Sequence, residues 1–87
     1  PMYLTLNLCR VLAYKKDGLI LSKQEGGEWG LKNIDRPEFQ ALITTALREY
    51  RDNEDMMFDE TIAKNFAEFM LEEIGGLTLC KTNSMKA

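Results

Sequence analysis

The sequence predicts an all-α protein, a compact antiparallel four-helix bundle. Three observations carry this. Apolar residues recur at three- and four-residue spacing in separate stretches of the chain. No stretch alternates apolar and polar residues with comparable regularity. Capping and stop residues fall at the ends of the periodic stretches, and the connections between them are short, which favours antiparallel neighbours. With 87 residues, 45% hydrophobic and 29% charged, the chain has material for one soluble domain with one modest core.

The first helix is expected from about Tyr3 to Lys16, with Leu4, Leu8, Val11 and Leu12 at helical spacing. Asp17-Gly18 stops it, and Leu19-Ile20-Leu21 forms a short apolar link. The second is short. Ser22-Lys23-Gln24-Glu25 has the form of a capping box, and Gly26-Gly27 is expected to break or loosen the helix before Glu28-Trp29-Gly30. The third has Asp35 as expected cap, Pro37 in the first turn and Glu38 as box partner. Phe39, Leu42, Ile43, Ala46, Leu47 and Tyr50 form its apolar stripe, ending near Asp52-Asn53. The fourth is expected from about Asp59 to Ile74, with Phe58, Ile62, Phe66, Phe69, Met70 and Ile74 on one face. Gly75-Gly76 closes it. The domain is therefore placed at residues 1–76, with 77–87 as a weakly ordered tail. Pro1-Met2 opens almost directly into an apolar helix without a cap, a hint that the chain is cut from a longer protein.

The composition excludes several function classes. The net charge is −3, against the basic face a nucleic-acid-binding domain would show, so no nucleic-acid partner is expected. No apolar run is long enough to cross a bilayer and nothing resembles a signal peptide; a cytoplasmic protein with no membrane partner is expected. Histidine is absent, which removes His-based acid–base catalysis, Ser-His and Cys-His pairs, His-ligated zinc, and a helical ribonuclease of the Arg-x4-His kind. Cys9 and Cys80 have neither metal-site spacing nor the density of a disulfide scaffold; Cys9 is expected as a buried thiol and Cys80 as incidental.

A few residues stand out. Arg10 interrupts an apolar helix, so it must snorkel, pair with a carboxylate, or meet a ligand anion. An internal ion pair is the commoner outcome. Lys23 opens the second helix, where the dipole repels a cation but free N–H groups favour a phosphate. A solvated surface lysine is the ordinary alternative. Trp29 is expected to plug the core, though beside two glycines it could also stack on a base or sugar. Tyr50 can bury its ring and present its hydroxyl at an edge. Arg48 and Arg51 are expected to pair with nearby acids. The acidic group Asp52, Glu54, Asp55, Asp59 and Glu60 fits a solvated loop with helix-cap acids better than a magnesium site.

Taken in order, Leu4-Thr5-Leu6-Asn7-Leu8-Cys9-Arg10-Val11-Leu12, Asp17-Gly18, Ser22-Lys23, Gly26-Gly27-Glu28-Trp29-Gly30 and Ala46-Leu47-Arg48-Glu49-Tyr50 resemble the C-terminal domain of the streptomycin/spectinomycin adenylyltransferases. The resemblance reaches to about Ile74. It implies a two-domain enzyme that moves AMP from ATP, with Mg2+, to a hydroxyl of an aminoglycoside or spectinomycin. The helical domain closes over the cleft, and an N-terminal nucleotidyltransferase domain is its partner. The resemblance places Arg10 and Lys23 on the ATP phosphates and Tyr50 at the nucleotide site. It implies no catalytic residue or metal ligand in this chain, because the Gly-Ser and paired-aspartate motif is absent from it. The chain by itself is therefore expected to be inactive. The competing reading is a non-catalytic helical interaction or regulatory module. Under either, the isolated chain is expected to self-associate through its first helix.

Overall fold

In the computed structural model the backbone is described for residues 2–86 and the side chains for residues 2–76. The protein is built from four helices: α1 (Met2–Asp17), α2 (Lys23–Asn33), α3 (Pro37–Asp52) and α4 (Glu60–Lys86). No strand occurs among the described residues. The all-α bundle expected from the periodicity is what forms.

Each helix boundary has a local cause. Gly18 sits at φ +68°, the left-handed conformation that ends α1 without a Cβ clash. Its N–H donates to the Tyr14 carbonyl at 2.9 Å. At the start of α2 the capping box is complete: Ser22 Oγ accepts the Glu25 N–H at 3.1 Å, and Glu25 Oε1 accepts the Ser22 N–H at 3.0 Å. Asn53, at φ 55°, caps the end of α3. Asp59 Oδ1 accepts the N–H groups of Thr61 and Ile62 and so caps α4.

Three expected boundaries need correction. Gly26-Gly27 does not break α2, which runs through both glycines to Asn33. Packing overrides the low helix propensity of glycine here, because α1 and α3 approach too closely for side chains. A Cβ on Gly27 would lie 2.5 Å from Leu47 Cδ2, and one on Gly30 would lie 2.7 Å from Cys9 Sγ. Asp35 does not cap α3. The cap position is Arg36, without a side-chain cap bond, and Pro37 pre-sets the first helical φ. Glu38, the expected box partner, pairs with Arg36 at 2.9 Å instead. Gly75-Gly76 does not close α4, which continues to Lys86. Residues 77–87, read as a weakly ordered tail, lie beyond the described side chains, and so does Cys80.

The core sits where the four helices meet. Leu6, Cys9, Leu12, Ile43, Phe66 and Met70 are its centre, and Phe39 packs edge-on to Phe66 with ring centroids 5.4 Å apart. The buried face of α1 is Thr5, Leu6, Leu8, Cys9, Leu12 and Ala13. Leu4 and Val11, expected on the apolar stripe, point outward with Tyr3 and Tyr14. A helix with leucines on several sides cannot bury them all against one core. Trp29 is buried, as expected, and its Nε1–H donates to Asp17 Oδ2 at 2.9 Å. That bond ties α2 to the end of α1.

The glycine contacts give the register. Gly27 meets Leu47 and Gly30 meets Ile43, so α2 and α3 are antiparallel and the start of α2 lies beside the end of α3. The link over residues 18–22 doubles back along α1, bringing Leu21 to Arg10 and Lys23 to Tyr3. The start of α2 therefore sits against the first half of α1. Among the described residues no helix is long and apolar enough to cross a membrane.

Candidate functional site

The candidate site grows from one strip of α1. Asn7, Arg10, Val11 and Tyr14 are spaced by three and four residues and share a face. The returning link lays Leu19, Ile20 and Leu21 against this strip and completes a groove of about 300 Å³. Its walls are mainly apolar. Ile20 is 88% exposed and, with Leu19 and Val11, leaves an apolar surface open along the groove. The polar groups in the groove are Asn7 and Arg10.

Arg10 neither points freely to water nor pairs with an acid. Its Nε–H donates to the Leu21 carbonyl at 2.7 Å, and Nη1 donates to Asn7 Oδ1 at 3.1 Å. Both acceptors are neutral. The ion pairs among the described residues are Lys16–Glu73, Arg36–Glu38 and Arg48–Asp52. The internal ion pair, the commoner outcome for such an arginine, is therefore not formed among them, and the Arg10 charge stays uncompensated. The Arg10 stem lies flat on α2 where Gly26 leaves no Cβ.

Lys23 begins α2, half-buried, with Nζ 5.6 Å from the centroid of the Tyr3 ring. It too is outside every ion pair among the described residues. Glu25, two residues on, is committed to the capping box. The Ser22 backbone N–H and hydroxyl hold its carboxyl below the usual carboxylate range. Arg10 and Lys23 share the N-terminal end of α2, since Gly26, one turn after Lys23, is the residue on which Arg10 packs.

Tyr50 is displaced from its expected place. It does not extend the buried stripe of α3 but lies 41% exposed, one turn beyond the buried Leu47. The antiparallel register puts it at the same end of the bundle as Lys23. The groove takes Arg10 but neither Lys23 nor Tyr50. The structure thus gathers the three residues at one end without joining them in one pocket.

Other groups are committed elsewhere. Arg48 pairs with Asp52 at 3.9 Å, as expected, but Arg51, expected to pair too, is outside the ion pairs among the described residues, and Glu49 accepts the Met56 N–H at 2.8 Å. Among the described residues no acids or cysteines converge into a metal-holding group. Cys9 is buried, as expected, and burial pushes its thiol up to about 12. Sequence reasoning missed Asn7 and the Leu21 carbonyl; it singled out Gly26 with Gly27 for close backbone approach, but without Arg10 as the group that approaches. Asn7, three residues before Arg10, carried a usable signal. Nothing in the sequence marks a backbone carbonyl from a link that folds back.

Fold and site together define a small helical domain in which Arg10 and Lys23, both outside the ion pairs among the described residues, lie at the end where α2 begins. The chain belongs to the family described as aminoglycoside adenylyltransferase, C-terminal domain, which matches residues 1–73. Comparison with curated proteins and with solved structures finds no match.

Proposed function

We propose that this chain is the helical domain that closes over Mg-ATP and drug in an aminoglycoside adenylyltransferase, with AMP passing to a hydroxyl of an aminoglycoside or spectinomycin. Family membership supports the parent activity. The observation that carries the local reading is the Arg10 charge, held by two neutral acceptors in place of a carboxylate. An arginine so placed has retained both its charge and free N–H groups for an anion. Lys23 adds a second cation at the N-terminal end of α2, where the helix dipole also favours an anion. These residues fit a triphosphate. Arg10 and Lys23 would hold the phosphates, and Tyr50 at the same end would line the nucleotide site. The bound nucleotide supplies the AMP group, and Mg2+ supplies charge neutralisation. No acids gathered for a metal are found among the described residues, so this chain's part is to bind and orient. The same residues offer no general base, and the 87-residue chain alone is inactive in this reading. An N-terminal nucleotidyltransferase domain is its partner and the cytoplasm its place.

The test is AMP transfer by a full-length enzyme carrying this domain, assayed on a panel of aminoglycosides and spectinomycin beside Arg10→Ala and Lys23→Ala. A loss in kcat/KM of about a hundredfold corresponds to roughly 2.7 kcal/mol of transition-state stabilisation. Unchanged kinetics in both variants would refute the phosphate role.

A second reading, a helical interaction module, is favoured by the apolar surface of Tyr3, Leu4, Val11, Tyr14 and Ile20. Absence of ATP binding and of transfer to any drug would leave this reading standing. Both readings expect the isolated chain to self-associate through α1. A strictly monomeric mass by light scattering at high concentration would contradict that.

A further inference from the structure

We propose that Asn7, the Leu21 carbonyl and the bare backbone of Gly26 form a clamp that fixes Arg10 before any ligand arrives, and that Asn7 and Gly26 are positioning residues for it. The clamp draws on three different elements. Asn7 Oδ1 comes from α1 itself and accepts from Nη1 at 3.1 Å. Leu21 comes from the link and accepts from Nε at 2.7 Å. Gly26 comes from α2, and a Cβ there would fall inside the contact distance of Arg10 Cγ and lie 3.3 Å from its backbone nitrogen.

The geometry selects which edge of the guanidinium is presented. Two of its five N–H groups are bound by Leu21 and Asn7, on the Nε and Nη1 atoms. The Nη2 group takes no part in either bond. A long arginine side chain ordinarily loses rotamer entropy when it is immobilised on a ligand. A clamped one has lost most of it on folding, so more of the contact energy reaches the anion. Neutral acceptors are what such a clamp needs. A carboxylate in place of Asn7 would hold the side chain equally well and cancel its charge.

Gly26 fits the same account. In a helix interior alanine is favoured over glycine. Gly26 therefore works against α2 unless the space it leaves is used, and Arg10 uses it. The functional consequence rests on the reading of Arg10 as a phosphate ligand; the clamp itself rests only on the three contacts.

The experiment uses the 87-residue chain labelled with 15N. Its four arginines give a small set of Nε–H signals in the proton–nitrogen spectrum. The Arg10 signal, assigned with Arg10→Ala, is expected to exchange slowly in the wild type. Asn7→Ala and Gly26→Ala are expected to speed that exchange, and Asn7→Asp, which restores the acceptor, to keep it slow. Titration with inorganic tripolyphosphate is expected to show about tenfold weaker binding in Asn7→Ala and Gly26→Ala, the fold-change that about 1.4 kcal/mol of lost contact energy produces. Asn7 is exposed, so its variants decide the question even if Gly26→Ala fails to fold. Exchange and tripolyphosphate affinity both unchanged in Asn7→Ala would overturn the clamp. Tripolyphosphate binding unchanged in Arg10→Ala would instead overturn the phosphate reading, while the exchange rates would still judge the clamp on its own.

Discussion

Gly27→Ala is the sharpest test of how this small core is assembled. Propensity alone says the change should help, since alanine is favoured over glycine within a helix by about 1 kcal/mol. The packing says otherwise. The new Cβ would lie 2.5 Å from Leu47 Cδ2, 2.8 Å from Leu47 Cγ and 2.9 Å from Leu6 Cδ2. Carbon atoms rest at about 3.5–4.0 Å, so each of these is a repulsive contact. Neither leucine can swing into water, because Leu6 is 0% and Leu47 5% exposed. Three helices must therefore move apart slightly. Overpacking of this kind costs about 1–3 kcal/mol, with severe cases above that. Set against the gain in propensity, the net effect is a loss of up to about 2 kcal/mol, where an unhindered site would gain about 1 kcal/mol. For a domain of this size each kcal/mol corresponds to a fall in Tm of about 4–8 °C. Urea unfolding followed by circular dichroism measures it directly. The control is Gly76→Ala, where a Cβ would meet nothing within 4 Å and α4 is helical on both sides. That variant should be more stable by up to about 1 kcal/mol. A Gly27→Ala protein stabilised as much as Gly76→Ala would refute the claim that Leu6 of α1 and Leu47 of α3 pack on the bare backbone of α2.

Further outcomes follow from the same contacts. Gly18→Ala should cost about 1–2 kcal/mol in thermal unfolding, because the left-handed conformation at φ +68° penalises any Cβ despite the open space around it. Ser22→Ala removes the capping-box acceptor and should lower stability by about 1 kcal/mol; a change below about 0.3 kcal/mol would argue against the box. Cys9 should resist a thiol reagent in the folded protein and react on unfolding, since burial raises its thiol to about 12. The raised value also fixes a pH dependence. The folded state holds this proton more tightly than the unfolded chain does. The stabilising contribution is therefore complete below pH 9.0 and is lost as pH rises towards about 12. The slope reaches at most about 1.4 kcal/mol per pH unit and should be absent from Cys9→Ala measured in parallel. Glu25 and Glu38 are exposed and should contribute little to acid unfolding, although hydrogen bonds hold both below the usual carboxylate range.

Several parts of the molecule were written locally in the chain. The start of α2 is one: Ser22 and Glu25 stand three apart and need no partner beyond their own backbone to close the box. The end of α1 at Gly18 and the stripe of Phe39, Leu42, Ile43, Ala46 and Leu47 are others, because a positive φ and a 3.6-residue period are properties of short segments. The family, too, was legible, since an ordered set of short motifs does not depend on how they pack. What the sequence could not decide were choices made between segments. Glycines in a row are stop signals by propensity, yet Gly26, Gly27 and Gly30 stay helical because the side chains of α1 and α3 occupy the space a Cβ would take. Leucines on every side of α1 do not say which will be buried; the position of α2 and α3 decides that Leu6 goes in and Leu4 stays out. Arg10 shows the difference most directly. Its oddity was plain from its apolar neighbours, but its partners lie three and eleven residues away, on α1 and on a link that folds back, and only the tertiary structure brings a neutral carbonyl to it instead of a carboxylate.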